Sequence, residues 1–214
     1  MSNQHPTPPK SKYYGVILKM GVALYERSRG FPTWALIFHS KRFSADDVRI
    51  YRVVNDSKNW FSDFRICALK EVGPLVGVLR VARIRVPSLE ILDMFMSCFP
   101  PGAKENNSSF EAIWSSSSWV IRAMEHFKNE VRLPCRNGDH LSTYMRGRII
   151  DLKMRPLPGP GRVRVIPLND DEKENAMPSS SSSRVIPRIP SVLRTFAKKD
   201  RELKGKPPVR KPIM

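Results

Sequence analysis

For roughly its first 150 residues the chain alternates apolar runs with turn-forming residues, and the spacing inside each run sorts it as strand or helix. "KYYGVILKM" at 12–20 and "FPTWALIFHS" at 31–40 are apolar and rich in β-formers. "ERSRG" between them supplies turn residues, so the pair predicts a β-hairpin. "DVRIYRVV" at 47–54 sets Val48 and Ile50 against arginines with the period of a half-buried strand. After the turn "NDSKN", "FRICAL" at 64–69 predicts a fourth strand. "LVGVLRVARIRVP" at 75–87 predicts a fifth, with Val78, Arg80, Ala82, Ile84 and Val86 in one row and Leu79, Val81, Arg83 and Arg85 in the other.

The period then lengthens. Pro87 and Ser88 mark a helix start, and Leu89, Leu92, Met96 and Phe99 come next at helical spacing. A second helix is predicted from Trp119, Val120, Ala123, Met124 and Phe127, which fall on one face. Ser118 is placed to cap its first turn, and Pro134 closes the region. The expected domain is therefore α+β and spans 12–149: an antiparallel sheet of about five strands packed against two or three helices. Residues 1–11, "MSNQHPTPPKS", read as a disordered N-terminus.

From residue 150 onward the chain is rich in proline, serine and charge. Such a composition buries too little apolar surface to offset the entropy of ordering, so 150–214 is expected to be a disordered tail. One stretch in it, "SVLRTFAKKDRELK" at 191–204, has the pattern of a short basic helix. Val192, Leu193 and Phe196 are its candidate anchors on a partner, the alternative being a transient helix without a role.

Charge adds a partner class to this picture. The formal net charge is +17; residues 155–214 hold 14 Lys or Arg and 6 Asp or Glu, which leaves +8 on the tail and +9 on the rest. A basic excess of this kind attracts nucleic acid or acidic protein through counterion release, with residues 150–214 and the arginines at 80, 83 and 85 as the expected contacts. No zinc finger, RNA-recognition signature or helix-turn-helix pattern accompanies the charge, and the tail is nearly devoid of aromatic residues for base stacking. No apolar run approaches the roughly 18 residues of a membrane span, and the N-terminus lacks a secretory signal. An intracellular location is the expectation, with cytoplasm and nucleus both open.

Metal and cofactor chemistry have no visible motif. There is no P-loop, G-x-G-x-x-G, H-E-x-x-H or C-x-x-C. Cys67 and Cys98 stand in apolar surroundings and read as small core residues. Cys135, in "RLPCRNGDH", has basic neighbours and is a candidate nucleophile. Asp63, Glu71, Glu90 and Asp93 read as solvated charges, Glu90 favouring the first turn of its helix.

The remaining feature is "EAIWSSSSWVIRAMEHF" at 111–127, four serines between two tryptophans where a helix begins. Together with "PTWALIF" it resembles a family of small uncharacterised proteins, found mainly in fungi, that carry a domain of unknown function. In that family a strand bears His-Trp-Ala-Leu and a later helix opens with Asn-Cys-x-x-Trp-Val. The plan in turn resembles papain-like cysteine hydrolases of the NlpC/P60 kind. The resemblance covers about residues 13–132. It implies a papain-like fold in which a thiol at a helix N-terminus meets an imidazole on a neighbouring strand.

This chain departs from the pattern at both reacting positions. Thr33 stands where the family has histidine, Ser115 where it has asparagine and Ser116 where it has cysteine. Trp34, Ala35, Leu36, Trp119 and Val120 match, and these are packing residues. A serine needs a positioned base more than a cysteine does. His39 lies six residues beyond Thr33, roughly 20 Å along a strand at about 3.3 Å per residue. His126 is far along the same helix, and His140 comes after it. The expectation is a catalytically inactive, degenerate papain-like domain serving as a binding module. The alternatives are tail-mediated binding of nucleic acid or an acidic partner, and a hydrolase that uses Ser116 or Cys135 with a converging histidine.

Overall fold

The computed structural model describes residues 15–27, 32–56, 59–102, 115–128, 131, 133–134, 138–169, 189 and 191–204. Among these residues six strands form one sheet: β1 (Val16–Tyr25), β2 (Thr33–His39), β3 (Val48–Asn55), β4 (Trp60–Cys67), β5 (Leu75–Val86) and β6 (Val165–Pro167). Their order across the sheet is β4-β3-β2-β1-β5-β6. Four α-helices accompany them among the described residues: α1 (Leu89–Ser97), α2 (Ser116–Glu125), α3 (Gly138–Met154) and α4 (Ser191–Lys204). The α+β class holds. The sheet is mixed rather than antiparallel, because β6 pairs with β5 in parallel, Val78 opposite Val165. The expected hairpin is present as the antiparallel β1–β2 pair, Lys19 opposite His39 through Tyr25 opposite Thr33.

Alternation assigns the two faces. Leu18, Met20, Val22 and Leu24 of β1 join the helix-covered core, together with Trp34, Leu36 and Phe38 of β2 and with Trp119, Val120, Met124 and Phe127 of α2. Ala23 and Tyr25, Ala35 and Ile37, and Val48 and Ile50 face the other way. Phe43 and Leu69, from the connections between strands, cover them. The two rows expected in β5 do not persist, for a physical reason. The β1–β5 register shifts between Met20 and Gly21, where Met20 opposes Ala82 and Gly21 opposes Arg80. Val81 is the extra residue of a bulge, and a bulge reverses which parity faces the core. Leu79 and Val81 face the helices before it, and Ile84 and Val86 after it. Arg80, Arg83 and Arg85 consequently share the opposite face.

The domain boundary expected at 149 falls inside α3. Leu141, Met145, Ile149 and Leu152 form a buried stripe on that helix. The chain beyond α3 is in part folded. Ile166 and Leu168 are buried in the core, as are Ile189 and Leu193. α3 holds β6 in place: the Tyr144 hydroxyl donates to Leu168 O at 3.0 Å and the Arg148 guanidinium to Pro167 O at 2.9 Å. The site where β5 meets this segment is close-packed. A Cβ added to Gly77 would stand 2.8 Å from Arg164 O and 2.9 Å from Leu152 Cδ2, so the approach requires glycine. The helix at 191–204 forms, and its partner is this domain. Leu193 is fully buried, and Phe196 meets Phe95 of α1 edge to face, ring centroids 5.8 Å apart. Residues 170–188 and 205–214 of the expected tail, and residues 1–11, lie outside the described residues.

The cysteine expectation needs correction. Cys98 is exposed at the end of α1 and is not a core residue, whereas Cys67 is half-buried on the edge strand β4 and packs against the second core. Two of the acidic residues read as solvated are paired instead. Asp93 accepts from Arg49 Nε at 3.1 Å and from the Tyr51 hydroxyl, and Asp63 is bound by Arg52 and Arg65. Burial, and then the bond to Asp93, push the Tyr51 hydroxyl well above the usual phenol range. Glu90 sits in the first turn of α1, and a hydrogen bond from Ser88 holds its carboxyl below the usual range.

Candidate functional site

The start of β2 and the start of α2 meet at one cleft. Thr33 and Trp34 open β2, Ser115 to Ser117 open α2, and all five line one cleft of about 610 Å³. The far wall is α3, through Arg146 and Ile149, and the lining contains no carboxylate side chain among the described residues. Arg52 lies at the same cleft, but its guanidinium pairs with Asp63 at 2.7 Å.

The serines divide the work of starting a helix. Ser115 is the N-cap, not Ser118 as expected. Its backbone is extended, with φ −150° and ψ 164°, and its Oγ accepts the Ser118 N–H at 3.2 Å. The same oxygen lies 2.8 Å from Ser117 Oγ and 3.0 Å from Ser118 Oγ. Three hydroxyls thus form a local cluster over the first turn, where free N–H groups need acceptors. Ser116 turns away from this cluster. Its Oγ accepts the backbone N–H of Trp34 at 3.1 Å, and the residue is buried. The bond ties α2 to the start of β2 across 82 residues of sequence.

None of the three candidate histidines completes a pair with Ser116. His39 is at the other end of β2, five residues beyond Trp34, or roughly 17 Å at about 3.3 Å per residue. It also faces the opposite side of the sheet, since Trp34 and His39 differ in parity. The imidazole is occupied there. Its Nδ1 accepts the N–H groups of Lys41 at 3.0 Å and Arg42 at 2.8 Å, and its Nε2–H donates to Asp47 Oδ1 at 2.9 Å. Three bonds fix one neutral tautomer and fold the 40–47 connection over the sheet. His126 caps the far end of α2, roughly 15 Å from Ser116 at about 1.5 Å per residue, and meets the edge of Phe99. α3 starts beside Ile121 and Glu125 and reaches the serines only at Arg146 and Ile149, which leaves His140 at the distant end. Cys135 lies outside the described residues. Cys67 is not activated: burial, then Glu71, push its thiol up and outweigh the pull of Arg65 and Arg52.

Among the described residues no cluster of His, Cys, Asp and Glu is arranged to hold a metal ion, and no helix is long and apolar enough to cross a membrane. Compared with protein-family models, with curated proteins and with solved structures, the chain matches none of them.

One arrangement is hidden from the sequence. Lys19 stands opposite Arg83, Ile17 opposite Arg85 and Gly21 opposite Arg80, all on the face away from the helices. The bulge is what aligns these arginines. Its signal is the presence of apolar and basic residues in both rows of β5.

Proposed function

We propose that this chain is a catalytically inactive, papain-like α+β domain that serves as a binding module. The observation that carries the reading is the bond from the Trp34 N–H to Ser116 Oγ. The hydroxyl at the position of the family's thiol closes the junction of strand and helix, and the strand position of the family's histidine is Thr33, which has no basic nitrogen. A general base must come within about 3 Å of the proton it takes, and the three histidines of the described domain are held elsewhere. The test is turnover of activated esters and peptide amides by the full chain. No turnover is expected, and Ser116→Cys should yield a thiol that can be alkylated but supports no hydrolysis. Turnover lost on Ser116→Ala would sink the proposal, and turnover lost only on Cys135→Ala would favour hydrolysis at that thiol.

The row of Lys19, Arg80, Arg83 and Arg85 favours a second reading, in which the module engages an acidic partner. Cations spaced along two paired strands neutralise phosphates or carboxylates without reading sequence, and they add to the +8 carried by residues 155–214. Binding of a short DNA duplex should weaken with salt, with a log–log slope of about −3 if three to four phosphates are met. Arg83→Glu with Arg85→Glu should flatten that slope. An unchanged slope would assign the binding to the tail, and affinity indifferent to salt would remove the electrostatic account altogether.

A further inference from the structure

β4 is an end strand of the sheet, paired among the described residues with β3 alone, and its outer side chains are unusually apolar. Phe61, Phe64 and Ile66 are 46%, 45% and 49% exposed, large values for residues of this size gathered on one strand. Natural edge strands are generally blunted with lysine, proline or a bulge, because free backbone N–H and C=O groups invite another strand. β4 runs for eight residues without proline or lysine, and its pairing with β3 is regular from Val48–Cys67 to Asn55–Trp60.

The strand's own charges select an occupant. A two-fold axis normal to the sheet would bring two copies of β4 together antiparallel, each residue opposite one of like parity. With the axis on Asp63, two carboxylates oppose each other; with it on Arg65, two guanidinium groups do, and like charges directly opposite destabilise a pair. With the axis on Phe64, Asp63 of each copy opposes Arg65 of the other, twice by symmetry. Ser62 then opposes Ile66, and Phe61 opposes Cys67. On the helix side Phe64 opposes its own copy. Phe64 already stacks on Tyr51, centroids 4.8 Å apart and planes 14° from parallel, so an aromatic row would run Tyr51–Phe64–Phe64–Tyr51 across the junction. On the other face the Arg52–Asp63–Arg65 group would continue into its copy. We infer that β4 is a self-association edge, and that two copies of this chain join their sheets through antiparallel β4 strands with the axis at Phe64.

Edge pairing of one strand buries little area, so the association should be weak and concentration-dependent. Sedimentation of the full chain over a concentration series is the test, with circular dichroism to confirm that each variant folds. Wild type should pass from monomer to dimer. Phe64→Lys places two ammonium groups on the axis and should leave a monomer. Arg65→Asp sets carboxylate against carboxylate twice and should weaken the dimer about tenfold or more. Asp63→Arg should do the same with guanidinium groups. A mixture of the Arg65→Asp and Asp63→Arg chains should restore association, because each then supplies the charge that the other lacks. Asp63→Arg also disturbs the bond to Arg52; if that chain fails to fold, Phe64→Lys and Arg65→Asp decide alone. A wild type that stays monomeric at every concentration overturns the inference. So does a dimer indifferent to both of those variants.

Discussion

The two ends of β2 solve the same problem with different chemistry. At its start, a buried serine from α2 accepts the Trp34 N–H, and one bond joins two elements far apart in sequence. At its end, a buried imidazole accepts two N–H groups from the next three residues and donates to Asp47, so three bonds gather one local connection. Placed together, Ser116 and His39 would be a nucleophile and a base. Held at opposite ends and on opposite faces of one strand, they are two clamps. Residue types that carry chemistry become structural when each already has a partner of its own.

The comparison breaks most visibly if the clamps are removed one at a time. His39→Ala deletes three hydrogen bonds and leaves the Lys41 and Arg42 N–H groups to find water, so a loss of about 2–3 kcal/mol is expected. Chemical denaturation measures it, and a loss below about 0.5 kcal/mol would show that the imidazole holds nothing. Ser116→Ala orphans one buried N–H and should cost less, about 1–2 kcal/mol. If the order reverses, the long-range clamp is the stronger, and the loop over the second face is held by Phe43 and its apolar neighbours instead.

Much of the fold is legible in the sequence. The five longer strands and the first two helices come from periodicity, because alternation and helical spacing are local properties of the chain. Features that depend on a partner are not. α3 has a narrow stripe of Leu141, Met145, Ile149 and Leu152 interrupted by arginines and Gly147, which reads as polar until β5 and β6 are in place. β6 is three residues long in a proline-rich setting, and its segment is held by bonds to Leu152, Tyr144 and Arg148. The helix at 191–204 is visible with its anchors, but the sequence holds no sign that α1 will receive Phe196. At the site, Trp34 and Trp119 stand on the apolar faces of a strand and a helix, a local signal that both enter one core. Which way Ser116 points has no such signal, since any of four adjacent serines could begin the helix.

That ambiguity gives the next prediction. Ser115→Ala removes the oxygen that receives the Ser118 N–H and should cost about 1 kcal/mol. Ser118→Ala should stay within about 0.5 kcal/mol, because its hydroxyl contacts only Ser115 Oγ in that cluster. Equal losses would mean that the cap is shared, and a larger loss at Ser118 would move the helix start by three residues and dissolve the distinction between Ser115 and Ser116.

The smallest expected effect concerns pH, and it sharpens the contrast from the side of the Ser116 cleft. Asp63 fixes Arg52, a residue that lines that cleft. Burial works to raise the Asp63 carboxyl, but hydrogen bonds from Arg65 and Arg52 outweigh it and hold the group below the usual carboxylate range. A carboxylate lowered in the folded state contributes stability above its unfolded pKa of about 3.9, and that contribution disappears as pH falls through the lower folded value. Arg65 is half-exposed, which screens the pair, so the contribution should be below about 1 kcal/mol. The difference in stability between wild type and Asp63→Asn should therefore be full above the unfolded value and shrink as pH falls through the lowered folded value, and a flat difference over that range would mean that the two arginines do not hold Asp63 as a charged partner.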